Sequence, residues 1–261
     1  MKEEILLLLK DPTLANRIHW YNSIESTNTE AKRLAKEGAP QGTFLIADHQ
    51  TGGRGRLGRN FSSPAGMGIY LSVILRPGCA ATELMHLTCA AAVAMCDAVE
   101  TVSGLRPGVK WINDLIVNGK KLGGILTELA LVPGTNTVDY AIVGIGINCH
   151  QQKMDFPEDL QPIATSIFES TGITIERCRL AAEMINALTE MSHHLLVGKE
   201  NIMARYAENC ITLGQDIYLL QGDKKTPCKA LSLDADGGLI VAFSDGSVQT
   251  VSSGEVSVRS Q

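Results

Sequence analysis

The run Val109-Lys110-Trp111-Ile112-Asn113-Asp114-Leu115-Ile116-Val117-Asn118-Gly119-Lys120-Lys121-Leu122-Gly123-Gly124-Ile125-Leu126 organises the chain around a hairpin. Residues 109–111 and 115–117 have the apolar, β-branched character of short strands, and Asn113-Asp114 interrupts them. Asn118-Gly119 is a strong signal for a two-residue hairpin turn, which sends the chain back as a strand over 121–131. Pro133-Gly134-Thr135-Asn136 makes the next turn, and 138–148 reads as another strand. Upstream, 18–24, 43–48 and 68–76 read as strands, the last of them buried. Thr27-Asn28-Thr29-Glu30 has capping-box spacing for a helix that carries Ala31, Leu34 and Ala35 on one face and ends at Gly38. An Ala-rich helix is predicted over 80–102, with Glu83 inside it and Asp97 near its end. This order implies an α+β design, a mixed or antiparallel sheet backed by helices.

Beyond the hairpins come helical patterns, the clearest over 176–196. From Thr212 to Gln261 the character changes to five short strand-like runs. Turn signals such as Gln221-Gly222-Asp223, Asp236-Gly237-Gly238 and Asp245-Gly246 separate them. Such spacing without helix periodicity predicts a small β-barrel. Two domains are therefore expected, 1–211 and 212–261.

Composition bounds the function. The 261 residues are 44% apolar and 20% charged, enough for a sizeable core and unlike a disordered chain. A net charge of −5 argues against a protein that coats nucleic acid, though not against a local basic site. No unbroken apolar run approaches the ~18–20 residues that span a bilayer, and the start, Met1-Lys2-Glu3-Glu4 before 5–9, is too acidic and short for a signal peptide. Seven scattered cysteines (79, 89, 96, 149, 178, 210, 228) form no CxxC pair, so reduced thiols in a cytoplasmic protein are expected.

Gln50-Thr51-Gly52-Gly53-Arg54-Gly55-Arg56-Leu57-Gly58-Arg59 has neither helical nor strand periodicity and reads as a loop between strands. Its glycines allow close approach of backbone to a ligand, and its arginines suit a carboxylate or phosphate. Composition alone leaves open a solvated, flexible loop. Asn113-Asp114 likewise suits plain turn chemistry, and Lys120-Lys121 an ordinary hairpin tip. Yet a lysine ahead of Gly123-Gly124, on the strand returning toward Asp114, can deliver charge to a phosphate. No Walker loop, GxSxG elbow or HExxH occurs, and Gly144-Ile145-Gly146-Ile147-Asn148 lacks the third glycine of a dinucleotide fingerprint. Nothing in the chain presents a covalent nucleophile.

Together these segments resemble the biotin protein ligases. GRGRxGR is present as 53–59, and KWPNDxxxxxxKxxGIL as 110–126, with Ile112 where proline is usual. Ser26-Thr27-Asn28 matches an STN element and 144–148 a GxGIN strand. The resemblance spans nearly the whole chain and implies a class II synthetase-like, biotin/lipoate-ligase fold with an SH3-like C-terminal barrel. It implies an enzyme that joins biotin and ATP as biotinyl-adenylate, with release of pyrophosphate, and then acylates a lysine of a biotin carboxyl carrier protein of acetyl-CoA carboxylase or a related carboxylase.

By the same resemblance, Arg54, Arg56, Lys121 and Asp114 are the catalytic candidates. Ser26, Thr27, Asn28, Gln50, Gly53, Arg54, Gly55, Arg56, Lys121 and Gly124 are expected at biotin. Arg56, Arg59, Phe61, Asn113 and Asn148 are expected at the nucleotide, Phe61 standing where the family often has tryptophan. Asp114 is the candidate ligand for Mg2+. Ile112 in place of proline leaves that turn less rigid but removes no reactive group. The expected partners are biotin, ATP and the carrier, without DNA or membrane, in a monomer or homodimer. A lipoate-type ligase is the nearest alternative, and it would carry a different arginine-glycine motif. A biotin-sensing regulator would need a DNA-reading domain, for which the residues ahead of Ser26 are too few. A non-catalytic biotin-binding module would have no need of Lys121, Asp114 or the arginine loop.

Overall fold

The computed structural model describes residues 1–221, 224–252 and 255–258. Seven strands form the main sheet: β1 (Ile18–Tyr21), β2 (Thr43–Ala47), β3 (Gly68–Leu75), β4 (Gly108–Lys110), β5 (Asp114–Val117), β6 (Lys120–Leu131) and β7 (Val138–Asn148), in the order β1-β2-β3-β7-β6-β5-β4. Only β1 and β2 run parallel; the other neighbours are antiparallel, so the sheet is mixed. The Asn118-Gly119 turn lies where the sequence places it, with both residues at positive φ.

The two faces of the sheet are packed by different helices. Strand side chains alternate between faces, and on β7 the odd positions Ala141, Val143, Ile145 and Ile147 join the larger core. That core includes α3 (Leu87–Ser103), α5 (Arg177–His194) and α6 (Lys199–Asn209). The even positions Tyr140 and Ile142 pack with Ala31 and Ala35 of α2 (Thr27–Lys36) in a smaller cluster. Continuing along that even face, the glycines 144 and 146 leave room for the side chains of Asn28, at the start of α2, and Phe61, and the site lies there. Before β1, a short helix α1 (Lys2–Leu7) lies against α5, and α4 (Ile167–Thr171) follows the loops after β7.

Two local readings are corrected by the structure. The α2 N-cap is Ser26, not Thr27: the Ser26 hydroxyl accepts the Thr29 N–H, which frees Thr27 for other bonds. The Ala-rich helix is not continuous from 80; a 3-10 turn (Ala81–Leu84) precedes α3, and the buried His86 sits at the α3 N-cap. Residues 81–103 are long and apolar enough to cross a membrane by length and composition, but most of that stretch is buried inside the fold.

The C-terminal residues form five antiparallel strands, β8 (Asp216–Gln221), β9 (Lys224–Leu233), β10 (Leu239–Ala242), β11 (Val248–Val251) and β12 (Glu255–Val258), in the order β11-β10-β9-β8-β12. This is the small β-unit expected from the turn spacing, and it agrees with the SH3-like C-terminal unit that the family resemblance implies. Gly222 and Asp223 of the first expected turn, and residues 259–261, lie outside the described residues. The unit is joined to the main sheet at one strand break. Trp111 donates its backbone N–H to Thr212 Oγ1 at 2.9 Å and its indole N–H to the Gly237 carbonyl at 2.8 Å.

Candidate active site

A cleft opens on the even face of β7, lined by the start of α2, the arginine loop and strands β6 and β7. Its floor exists because two residues lack side chains. In register, Gly144 pairs with Ser72 and Leu126, and Gly146 with Tyr70 and Gly124. A Cβ on Gly144 would fall 1.9 Å from Asn28 Oδ1, and one on Gly146 would fall 2.4 Å from the Phe61 ring. Asn28 and Phe61 therefore occupy the space that any larger residue on this strand would take.

One end of the cavity is a chain of neutral hydrogen bonds at the start of α2. Thr27 donates its backbone N–H to Gln50 Oε1 at 2.8 Å, and its hydroxyl lies 3.1 Å from the same oxygen. Gln50 Nε2 donates to Ser63 Oγ at 2.9 Å, and Ser63 in turn donates to the Phe61 carbonyl. The Ser72 hydroxyl is fully buried, 2.6 Å from Asn28 Oδ1 and 2.8 Å from Thr27 Oγ1. Asn28 Nδ2 donates to Glu128 at 2.9 Å, and Glu128 also holds Lys32. Each polar group is thus fixed by another, as a directed binding surface requires.

The other end is cationic, and its cations are held in place. Arg56 Nη1 donates to Asn113 Oδ1 at 2.9 Å, while Asn113 Nδ2 donates to the Ile125 carbonyl and Ile125 N–H returns to the Asn113 carbonyl. Lys121 Nζ reaches Asp114 Oδ1 at 2.6 Å. The register between β5 and β6 shifts between Leu115 and Ile116, and the Lys121 chain runs over Gly124, where an added Cβ would meet its Cε at 3.2 Å. Arg54 stands at the mouth, 3.9 Å from Glu25. The arginine loop is a folded excursion rather than a free one: Gly53 accepts from Phe61 N–H, and Gly55 donates to the Arg59 carbonyl. Its tip is a 3-10 turn (Arg56–Gly58) with Leu57 at φ 55°.

Of the residues singled out from sequence, Ser26, Thr27, Asn28, Gln50, Arg54, Gly55, Arg56, Phe61, Asn113, Lys121 and Gly124 all line this cavity. Asp114 does not line it but holds Lys121, which does. Gly53 lies behind the wall, where a Cβ would meet the Phe61 carbonyl at 2.4 Å. Two expected nucleotide contacts are not brought to the wall. Asn148 is buried, with Nδ2 bonded to the Thr165 carbonyl and Oδ1 to Gln151. Arg59 is exposed on the outer leg of the loop. Sequence reading missed Ser72, Ser63 and Glu128. Ser72 was detectable, since a lone hydroxyl in the apolar run Gly68–Leu75 must find a buried partner. Among the described residues no cluster of three His, Cys, Asp or Glu side chains could hold a metal on its own.

Comparison with known proteins agrees with this geometry. Residues 20–148 match the Biotin/lipoate A/B protein ligase family, and residues 212–259 match the Biotin protein ligase C terminal domain. The bifunctional ligase/repressor BirA of Bacillus subtilis is 33% identical over 246 residues, covering 94% of this chain and 75% of BirA. The biotin--[acetyl-CoA-carboxylase] ligase of Mycobacterium tuberculosis is 31% identical over 237 residues, covering 88% of this chain and 85% of that protein. The structure of the biotin protein ligase from Aquifex aeolicus in complex with biotin and ATP superposes with a TM-score of 0.78 at 31% identity, covering 94% of this chain and 99% of that one.

Proposed function

The chain belongs to the biotin protein ligase family, and from that premise we propose a two-step reaction in which the cavity first activates biotin and then presents it to a carrier lysine. One observation carries this reading. A single cavity has a neutral hydrogen-bonding end at Ser26, Thr27, Asn28 and Gln50 and a cationic end at Arg54, Arg56 and Lys121. Biotin has the same polarity: a ureido ring at one end, an apolar body, and a carboxylate at the other.

In the first step the biotin carboxylate attacks the α-phosphorus of ATP. An acyl–phosphate bond forms, the α–β anhydride breaks, and pyrophosphate leaves with the electron pair. Both reactants are anions, so the obstacle is their mutual repulsion. Fixed cations aimed at the developing charge lower that barrier without reorganising during reaction. Arg56, set by Asn113, and Lys121, set by Asp114, have that arrangement, and Arg54 adds a third charge at the mouth. Phe61 offers the nucleotide an aromatic surface.

In the second step the carrier lysine amine attacks the acyl carbon, AMP departs, and the amine loses a proton as the amide forms. The nucleophile belongs to the partner, in keeping with a cavity wall that offers no serine–histidine or cysteine–histidine pair. Magnesium would enter with the triphosphate and would offset phosphate charge; Asp114, the expected carboxylate for it, stands off the cavity wall and already holds Lys121, so it would meet the ion only at the edge of the site. The arginine loop, closing over the adenylate, keeps water from the mixed anhydride.

The test is transfer. With ATP and biotin, the protein should add one biotin to one lysine of a purified carboxyl carrier domain, read by intact mass and peptide mapping. Absence of the modification, with a carrier that a known ligase labels, would contradict the reading.

A further inference from the structure

The arginine loop leaves β2 after Ala47 and returns to β3 at Gly68, and its two legs meet at the half-buried Asp48 carboxylate. Asp48 Oδ1 accepts the Gly66 N–H at 3.2 Å, joining the legs, and the same carboxylate oxygen accepts from Arg177 Nη2. Arg177 comes from a distant part of the chain, at the first position of α5, and its side chain is 7% exposed.

Nothing in α5 itself favours an arginine at that position. A helix N-terminus carries partial positive charge and prefers acidic residues. The N-cap, Glu176, makes no side-chain capping bond. Arg177 Nε is buried with no partner among the described residues. Burying a guanidinium is costly, and an ion pair in the interior seldom outdoes apolar packing in stability alone. A side chain at odds with its own helix and incompletely satisfied points to a requirement elsewhere in the fold.

That requirement lies at the loop. The outgoing leg is pinned independently: Ile24 N–H bonds the His49 carbonyl, Thr51 N–H the Ile24 carbonyl, and Gly52 N–H the Glu25 carbonyl. The return leg is held at its two ends, by Gln50 on Ser63 and by the Cys149 and His150 N–H groups on the Met67 carbonyl. Between those ends its anchors are Tyr70 Oη on the Pro64 carbonyl and the Gly66–Asp48–Arg177 junction. Gln50, Arg54, Gly55, Arg56 and Phe61, all on the cavity wall, lie between the two legs.

We infer that Arg177 and Asp48 are positioning residues that clamp the base of the arginine loop and so set where Arg54, Arg56 and Phe61 meet the ligand. The inference rests on the ligase reading for its kinetic consequence but not for its structural one. Asp48→Asn keeps an acceptor for Gly66 and removes the charge; Arg177→Met removes the guanidinium; Arg177→Lys restores charge without the fork.

Two readouts decide it. Limited trypsin digestion, with fragments identified by mass, should show cleavage after Arg54, Arg56 and Arg59 accelerated about tenfold or more in Asp48→Asn and Arg177→Met, with other sites unchanged. Biotin-dependent pyrophosphate exchange should show KM for biotin raised about tenfold or more, a larger effect than on kcat, and partly rescued in Arg177→Lys. Loop cleavage within twofold of wild type, or acceleration at sites throughout the chain, would overturn the clamp. So would an unchanged KM in variants that melt lower. If Arg177→Met does not fold, Asp48→Asn decides by the same readouts. Failure of the wild-type protein to exchange with biotin would count against the ligase reading, and the digestion would still judge the clamp.

Discussion

Lys121 Nζ lies 2.6 Å from Asp114 Oδ1 across the β5–β6 hairpin, so the ammonium at the cationic end of the cavity is held by a carboxylate before any ligand arrives. A lysine otherwise carries several free rotors. The pair removes that freedom and gives the charge a fixed address. Lys121→Gln should therefore lower kcat/KM for pyrophosphate exchange by about 10²–10³, the scale of losing one preorganised charge-stabilising donor. Asp114→Asn should lower it less if its main part is to orient Lys121. Steady-state exchange in the two variants and their double mutant checks this: a double mutant no worse than Lys121→Gln is expected.

Arg56 is tied to Asn113 by a bond that joins segments 57 positions apart in sequence. Arg56→Gly should loosen the closed loop and release the adenylate, so that lysines on bystander proteins become labelled. Streptavidin blotting of a lysate incubated with the variant, ATP and biotin measures it. Unchanged bystander labelling alongside normal adenylate synthesis would count against the role.

Gly144→Ala is predicted to damage biotin binding with little loss of fold. The added Cβ would sit 1.9 Å from Asn28 Oδ1, and Asn28 is held by Ser72 and Glu128, so the side chain at the cavity floor must be displaced. Overpacking of this kind costs about 1–3 kcal/mol, a factor of roughly 10 to 100 in affinity if expressed at the site. Calorimetric titration with biotin, beside thermal melting, separates the two.

His86 gives a pH dependence of stability. Burial pushes its imidazole below the ordinary histidine range; the Leu195 carbonyl, 2.8 Å from Nε2, opposes this only in part, and Lys199 adds to the lowering. Nδ1 is buried and unpartnered among the described residues. The folded state therefore takes up its proton at lower pH than the unfolded state. Stability contributed by the neutral ring is present above the unfolded pKa near 6.5 and is lost as pH falls through the interval below it. Melting temperatures at pH 5.0 and 7.5 should differ less in His86→Leu than in wild type; an equal difference in both would contradict the assignment.

Much of this architecture was legible because its signals are local. Asn118-Gly119 can hardly be other than a hairpin turn, and the nearly continuous apolar character of Gly68–Leu75, broken only by Ser72, marks a strand buried on both faces. The paired glycines 144 and 146 were visible as a motif, but their purpose was not. It depends on Asn28 and Phe61 arriving from elsewhere to fill the missing side-chain space. Asn148 shows the limit from the other side: a motif names the residue, while the fold spends its amide on Thr165 and Gln151. The Ser26 cap, the break before α3 at His86 and the Arg177–Asp48 junction likewise depend on partners that periodicity does not encode.

The central claim is that one cavity joins biotin, in preference to other carboxylates, to ATP. Isotope exchange between pyrophosphate and ATP, with biotin, lipoate or octanoate as the only carboxylate substrate, separates these acids in one assay. Exchange should depend on biotin and be weak or absent with the other two. Exchange with lipoate or octanoate but not biotin would contradict it, and exchange with none of the three would reduce the cavity to a binding site.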